Sequence, residues 1–140
     1  MTKTILIIDD EPDIRDYLMA VLKDHDYIAY ALGESDLILE AVIKHRPDLI
    51  ILDVMMPERS GISVYIELRT TAEIAHIPIA LLTGMPSSTL YARTGLLQLL
   101  EKESIPPPNG FIDKPIDISS LLSSIESLLD EGRDPSDVAT

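Results

Sequence analysis

The sequence predicts an open α/β domain: a doubly wound parallel sheet of five strands covered by five helices. Short runs rich in Ile and Leu alternate with segments of helical periodicity, five times over. The runs Ile5-Leu6-Ile7-Ile8, Leu49-Ile50-Ile51-Leu52 and Ile79-Ala80-Leu81-Leu82 are apolar at every position. A strand needs that pattern when helices bury both of its faces, as in a parallel sheet. A chain of 140 residues with 46% hydrophobic content is also long enough for one compact domain with a sizeable core.

The elements follow in order. The first strand ends at Ile8, and Pro12 suits the first turn of a helix with Asp10 as its N-cap. Ile14, Tyr17, Leu18, Val21 and Leu22 then recur at helical spacing. Tyr27 to Leu32 reads as the second strand. Ser35 caps a helix whose inward face holds Leu37, Ile38, Ala41 and Val42, and Pro47 stops it. Leu49 to Leu52 is the third strand, Ser60 to Thr71 the third helix, and Pro78 precedes the fourth strand. The fourth helix falls between Ser87 and Glu103.

Within that helix Leu96, Leu97, Leu99 and Leu100 cannot all share one side. A well-buried helix is expected there, the alternative being an exposed partner or dimer face. Pro106-Pro107-Pro108 predicts a stiff, extended loop. Phe111 and Ile112 form a short fifth strand, and Asp117 caps a last helix striped with Ile118, Leu121, Leu122, Ile125, Leu128 and Leu129. The domain is expected to span residues 1–129. Residues 130–140 lack apolar periodicity and read as a flexible acidic tail or a truncated linker.

Composition excludes several classes of function. With 24 acidic and 11 basic residues the net charge is -13, which disfavours direct binding of nucleic acid. There is no cysteine, so disulfides and thiolate metal sites are excluded. No apolar stretch approaches the ~20 residues of a membrane span, and the run before Asp9 is too short for a signal peptide. A soluble cytoplasmic protein that does not engage membranes is expected. His25, His45 and His76 are scattered without metal-ligand spacing.

The polar residues that end the strands carry the chemistry. In open α/β sheets ligands bind beyond the carboxyl ends of the strands. Asp9-Asp10, Asp53, Thr83 and Lys114 all fall at or just past those ends. Singly, each has an ordinary role: a helix cap, a strand cap, a β-branched strand residue, a surface lysine. Together, three carboxylates converging on one point must hold a proton or bind a cation. Mg2+ takes hard oxygen ligands and few carboxylates, which makes it the natural candidate. A carboxylate such as Asp53 can attack phosphorus to form an acyl phosphate. Thr83 can donate a hydrogen bond to a phosphoryl oxygen, and Lys114 can neutralise its charge. Glu11 reads as a first-turn acid favoured by the helix dipole.

With these residues in view, the chain resembles the receiver domains of bacterial two-component response regulators. The matching residues are Asp9-Asp10, Asp53-Val54-Met55-Met56-Pro57 with Gly61, Thr83-Gly84, and Phe111-Ile112-Asp113-Lys114-Pro115. The resemblance implies a flavodoxin-like sheet of order 2-1-3-4-5. It implies that Asp53 is the phosphoacceptor, served by a histidine kinase or phosphotransfer protein carrying phosphohistidine. Asp9, Asp10 and Asp53, with the Met55 carbonyl, would hold Mg2+. Thr83 and Lys114 would bind the phosphoryl oxygens, and Thr83 and Phe111 would form the switch read by a downstream protein target. Such a module is a signalling domain rather than an enzyme, although it assists its own phosphorylation and slow dephosphorylation. Met55 and Met85 would flank the phosphoryl group, and thioethers orient water poorly, so self-hydrolysis is expected to be slow.

Two alternative readings differ in what they require. A Mg2+-dependent phosphohydrolase with an Asp nucleophile needs a second Asp two residues on, where Met55 stands. A receiver-like interaction module that is never phosphorylated needs no intact site. The 31-residue interval from Thr83 to Lys114 is longer than receivers usually have.

Overall fold

A computed structural model describes residues 2–33, 37–55 and 60–131, excepting the side chain of the last. Its elements are β1 (Thr4–Ile8), α1 (Pro12–Asp24), β2 (Ile28–Leu32), α2 (Ile38–His45), β3 (Leu49–Asp53) and α3 (Gly61–Thr70). They continue with β4 (Ile79–Thr83), α4 (Ser87–Thr94), α5 (Leu96–Glu103), β5 (Gly110–Asp113) and α6 (Ile118–Glu131). All strand pairs are parallel and the order is β2-β1-β3-β4-β5, as the resemblance implied. Among the described residues no helix is long and apolar enough to cross a membrane.

The continuous apolar strands divide by parity. Ile5, Ile7, Leu49, Ile51, Ala80 and Leu82 face α1 and α6, which contribute Leu18, Leu22, Leu121 and Ile125. Leu6, Ile8, Ile50, Leu52, Ile79 and Leu81 face the other helices, which contribute Val42, Val64, Leu68, Leu90 and Leu100. Side chains alternate across a strand, so a sheet covered on both faces needs apolar residues throughout. Deleting one such side chain to Ala costs about 2–5 kcal/mol. Register aligns the strand ends: Ile8 pairs with Leu52, Asp53 with Leu82, and Thr83 with Asp113.

Among the described residues six helices form rather than the expected five. The segment between Ser87 and Glu103 breaks at Gly95, whose φ of 65° ends α4 in a left-handed turn and starts α5. Glycine takes that conformation without the Cβ penalty. The Thr94 hydroxyl secures the break by donating to the Leu90 carbonyl and accepting from the Leu96 N–H. The turn re-phases the leucine run, so that Leu96 and Leu100 are buried while Leu97 is exposed. Two of the four leucines are thus buried and Leu99 is half-buried, less than the well-buried helix expected.

Four smaller expectations are corrected. Asp10 is not the N-cap of α1; Glu11 occupies that position and its side chain makes no cap bond. Tyr17, Leu37 and Ile118 are exposed rather than core. Tyr17 stands roughly a quarter-turn from the centre of the Leu18–Val21–Leu22 stripe at ~100° per residue. Leu37 precedes the first helical residue of α2, and Ile118 is the first residue of α6. Ser60 and Asp117 do cap α3 and α6, accepting from the N–H groups of Ile62 and Ser120. The expected cap Ser35, the Met56-Pro57 pair and residues 132–140 of the expected tail lie outside the described residues.

The long interval before β5 is held by a network that the sequence did not announce. The Arg69 guanidinium donates to the carbonyls of Ala75 and Ile77 at 2.9 and 2.7 Å, and to the Asn109 side chain. Its Nε donates to the Tyr65 hydroxyl, which in turn donates to the Pro106 carbonyl at 2.6 Å. The proline-rich loop is therefore tied to α3 and to the loop before β4. The Lys114–Pro115 peptide is cis.

Candidate functional site

The aligned carboxyl ends of β1, β3 and β4 bring the polar residues to one edge. Asp9 follows β1, and its N–H donates to the Leu32 carbonyl at 3.0 Å. Asp53 is the last residue of β3, and the next N–H, of Val54, donates to Leu82 at 3.2 Å. Lys114 follows β5, and its N–H donates to the Thr83 carbonyl at 2.9 Å. These backbone bonds extend the sheet pattern past the strands and fix where each side chain starts.

The Lys114 Nζ lies 3.3 Å from Asp53 Oδ1, linking positions 61 residues apart in the chain. Oδ1 also accepts the Met55 N–H at 3.2 Å. The Asp9 carboxylate accepts the Glu11 N–H at 2.9 Å. Each carboxylate thus spends one oxygen on a local donor. What remains is unusual: Asp9 Oδ2, Asp10 Oδ1 and Asp53 Oδ2 are buried and have no hydrogen-bond partner among the described residues. Carboxylate atoms of the three residues lie within 4.8 Å of one another.

Buried, unpaired carboxylate oxygens carry a steep desolvation cost, and mutual repulsion adds to it. A proton or a cation relieves it. Asp9 shows the strain: burial, opposed by the Glu11 N–H and reinforced by the Asp53 charge, pushes its carboxyl from an ordinary 3.8 up to about 6. Three hard oxygen donors so arranged fit a small divalent cation, and Asp9, Asp10 and Asp53 are the residues that could hold one.

The pKa shift sets a stability prediction. A carboxyl whose folded pKa is raised favours the fold while it is protonated. That contribution is complete below about 3.8 and is lost as pH rises through about 6. Above that pH, Asp9→Asn should make the metal-free protein more stable by about 1–3 kcal/mol, at ~1.4 kcal/mol per pKa unit. It should also flatten the pH profile between 4 and 6 and shrink the stabilisation by added Mg2+. Thermal melts across pH, with and without Mg2+, measure all three effects.

Thr83 is buried at the end of β4. Among the described residues its hydroxyl bonds only the Met85 backbone, at 3.2 Å to the N–H and 3.4 Å to the carbonyl. Its hydroxyl is turned to its own loop rather than to Asp53 or Lys114. Phe111 is half-buried on β5 and meets the Tyr91 ring edge-on, with centroids 6.0 Å apart. The Met55 side chain is 64% exposed, whereas Met85 packs partly into the core.

Two contacts escaped the sequence reading. Glu11, expected as a first-turn acid favoured by the helix dipole, lies 3.8 Å from the Lys114 ammonium. Tyr91 faces Phe111 across the β4–α4 side of the sheet. Neither had a sequence signal, because both depend on how the elements pack.

The comparisons agree with this geometry. The family model described as response regulator receiver domain matches residues 5–126. Protein Rrf1 of Nitratidesulfovibrio vulgaris is 30% identical over 129 residues, which cover 92% of this chain and 84% of that protein. Sensor histidine kinase TmoS of Ectopseudomonas mendocina is 31% identical over 125 residues, or 89% of this chain. The match spans only 12% of the kinase's length. The solved signal receiver domain of a signal transduction histidine kinase from Syntrophus aciditrophicus superposes with a TM-score of 0.76. It is 26% identical, and 99% of this chain and 98% of that one are covered.

Proposed function

Because the chain belongs to the response regulator receiver domain family, we propose that it accepts a phosphoryl group on the carboxylate of Asp53 and passes the change to a partner protein. The observation that carries the reading is the Asp53 carboxylate, buried at a strand end and touched by the Lys114 ammonium at 3.3 Å, beside two further carboxylates with unpaired oxygens. The donor is a phosphohistidine on a histidine kinase or phosphotransfer protein. An Asp53 oxygen forms the new O–P bond as the N–P bond breaks, and the electron pair returns to the imidazole, which takes up a proton.

Asp9, Asp10 and Asp53, with the Met55 carbonyl, are the proposed holders of Mg2+. Once bound, the ion would supply positive charge where acceptor and phosphoryl oxygens meet. The chain's own residues do the rest. Lys114 offsets charge on the phosphoryl group. Thr83 exchanges its bond to Met85 for one to a phosphoryl oxygen, and Phe111 responds to the space that opens. The outcome is a shift between two packings of one fold. Met55 and Met85 offer no donor to orient a water, which supports a long-lived acyl phosphate. The module runs through the end of α6 at Glu131, two residues past the expected boundary. A net charge of -13 favours a protein target over nucleic acid, and the absence of any spanning helix among the described residues accords with a cytoplasmic setting.

Incubation with acetyl phosphate and Mg2+, read by intact mass, tests the reading. One added phosphoryl group is expected, lost in Asp53→Asn and in chelator. Fast, continuous phosphate release without accumulation would favour a phosphohydrolase instead.

A further inference from the structure

We propose that Tyr91 is a positioning residue for Phe111, holding it by ring contact in the packing of the unphosphorylated protein. The inference rests on the receiver reading above and extends it to a residue outside the motifs. In this arrangement the Thr83 hydroxyl is committed to the Met85 backbone rather than turned to Asp53 or Lys114, which is the packing that the receiver reading assigns to the protein before phosphoryl transfer. In this state Tyr91 and Phe111 meet at 84° with centroids 6.0 Å apart, the favoured edge-to-face geometry.

The two rings stand on elements with different attachments. Phe111 sits on β5, paired in register with Leu81 of β4. Tyr91 sits on α4, an eight-residue helix with one buried residue, Leu90. At its start, Met85 is two residues ahead of Ser87, and Met85 is what the Thr83 hydroxyl grips. At its end, Gly95 already turns the chain at a φ of 65°. Beyond the turn, α5 is anchored by buried Leu96 and Leu100, with Ile105 buried behind it. The proline-rich loop is tied by Tyr65 and Arg69. When Thr83 leaves Met85, α4 and its tyrosine are free to shift against β5 while α5 and the loop stay. The Tyr91–Phe111 contact is therefore counted in one packing and loosened in the other. Removing it should favour the phosphorylated packing and tighten binding of any ligand selective for that packing.

Phe111 is the one phenylalanine in the chain, so wild type and Tyr91→Leu labelled with 4-fluorophenylalanine carry a single 19F reporter at the switch, while Tyr91→Phe carries a second at residue 91, assigned by its absence from the other two spectra. Beryllofluoride, a phosphoryl mimic, is titrated at fixed Mg2+ into wild type, Tyr91→Leu and Tyr91→Phe. The midpoint is expected to fall about two- to ten-fold in Tyr91→Leu, on the scale of one aromatic pair. Tyr91→Phe, which keeps the ring edge, should match wild type. A merely structural loss would not tighten binding. An unchanged or weaker midpoint in Tyr91→Leu overturns the inference, as does equal tightening in Tyr91→Phe. A wild-type signal that ignores beryllofluoride overturns the receiver reading, and this inference with it.

Discussion

Gly61→Ala is expected to destabilise the protein by about 3 kcal/mol or more, the upper end of the range for overpacking a tight interior. A Cβ at Gly61 would lie 2.2 Å from the Asp53 carbonyl oxygen, 2.7 Å from Val54 Cα and 2.9 Å from the Val54 carbonyl oxygen. All three are backbone atoms at the end of β3, so no side-chain rotation relieves the clash. The Gly61 N–H also donates to the Val54 carbonyl at 3.1 Å, which holds the start of α3 against that strand end. Relief requires the strand end or the helix to move, and either displaces Asp53. At about 3 °C per kcal/mol for a domain of this size, the midpoint should fall by roughly 10 °C. Mg2+ should stabilise the variant less than wild type. Calorimetry with and without Mg2+ measures both changes, and a variant within 2 °C of wild type would contradict the packing described.

Lys114→Met is expected to slow phosphoryl uptake from acetyl phosphate by about 10²–10³-fold, the usual effect of removing one preorganised donor from developing charge. Among the described residues the ammonium is the cation that contacts the acceptor, 3.3 Å from Asp53 Oδ1. Without it the phosphoryl group meets three carboxylates with that positive charge removed. Methionine keeps the length of the lysine stem, so packing is largely retained and charge is what the variant loses. Quenched-flow phosphorylation at saturating Mg2+ isolates the rate, and a melt on the same sample checks that the fold survives. A rate within three-fold of wild type would mean that Lys114 is a structural partner of Asp53 and nothing more.

Much of this was legible in the sequence because the fold is simple in period. Strands such as Ile5–Ile8 and Leu49–Leu52 are apolar at every residue, and only burial on both faces demands that. Each of the polar residues that end strands therefore stood out against an apolar run. Asp53, Thr83 and Asp9 are indeed buried at those ends. What stayed hidden depends on non-local packing or on single backbone dihedrals. The break at Gly95 turns on one positive φ, and a glycine inside a helical pattern does not reveal whether it will be used. The network around Arg69 joins Tyr65 to Pro106, 41 residues apart, through a backbone carbonyl, which carries no sequence identity. Asp10 joins the carboxylate cluster as expected, but Glu11 takes the cap position expected of Asp10 and reaches Lys114. Both lie where strand passes to helix, and a one-residue change of phase there decides which of them caps α1.

The central claim is that Asp53, rather than either carboxylate beside it, is the residue that carries phosphorus. Reduction of the phosphorylated chain with borohydride converts an aspartyl phosphate to homoserine at the modified position. Peptide sequencing should find homoserine at residue 53 only, in amounts that follow the added Mg2+. Homoserine at residue 9 or 10, or a phosphoryl group stable to borohydride, would contradict the account.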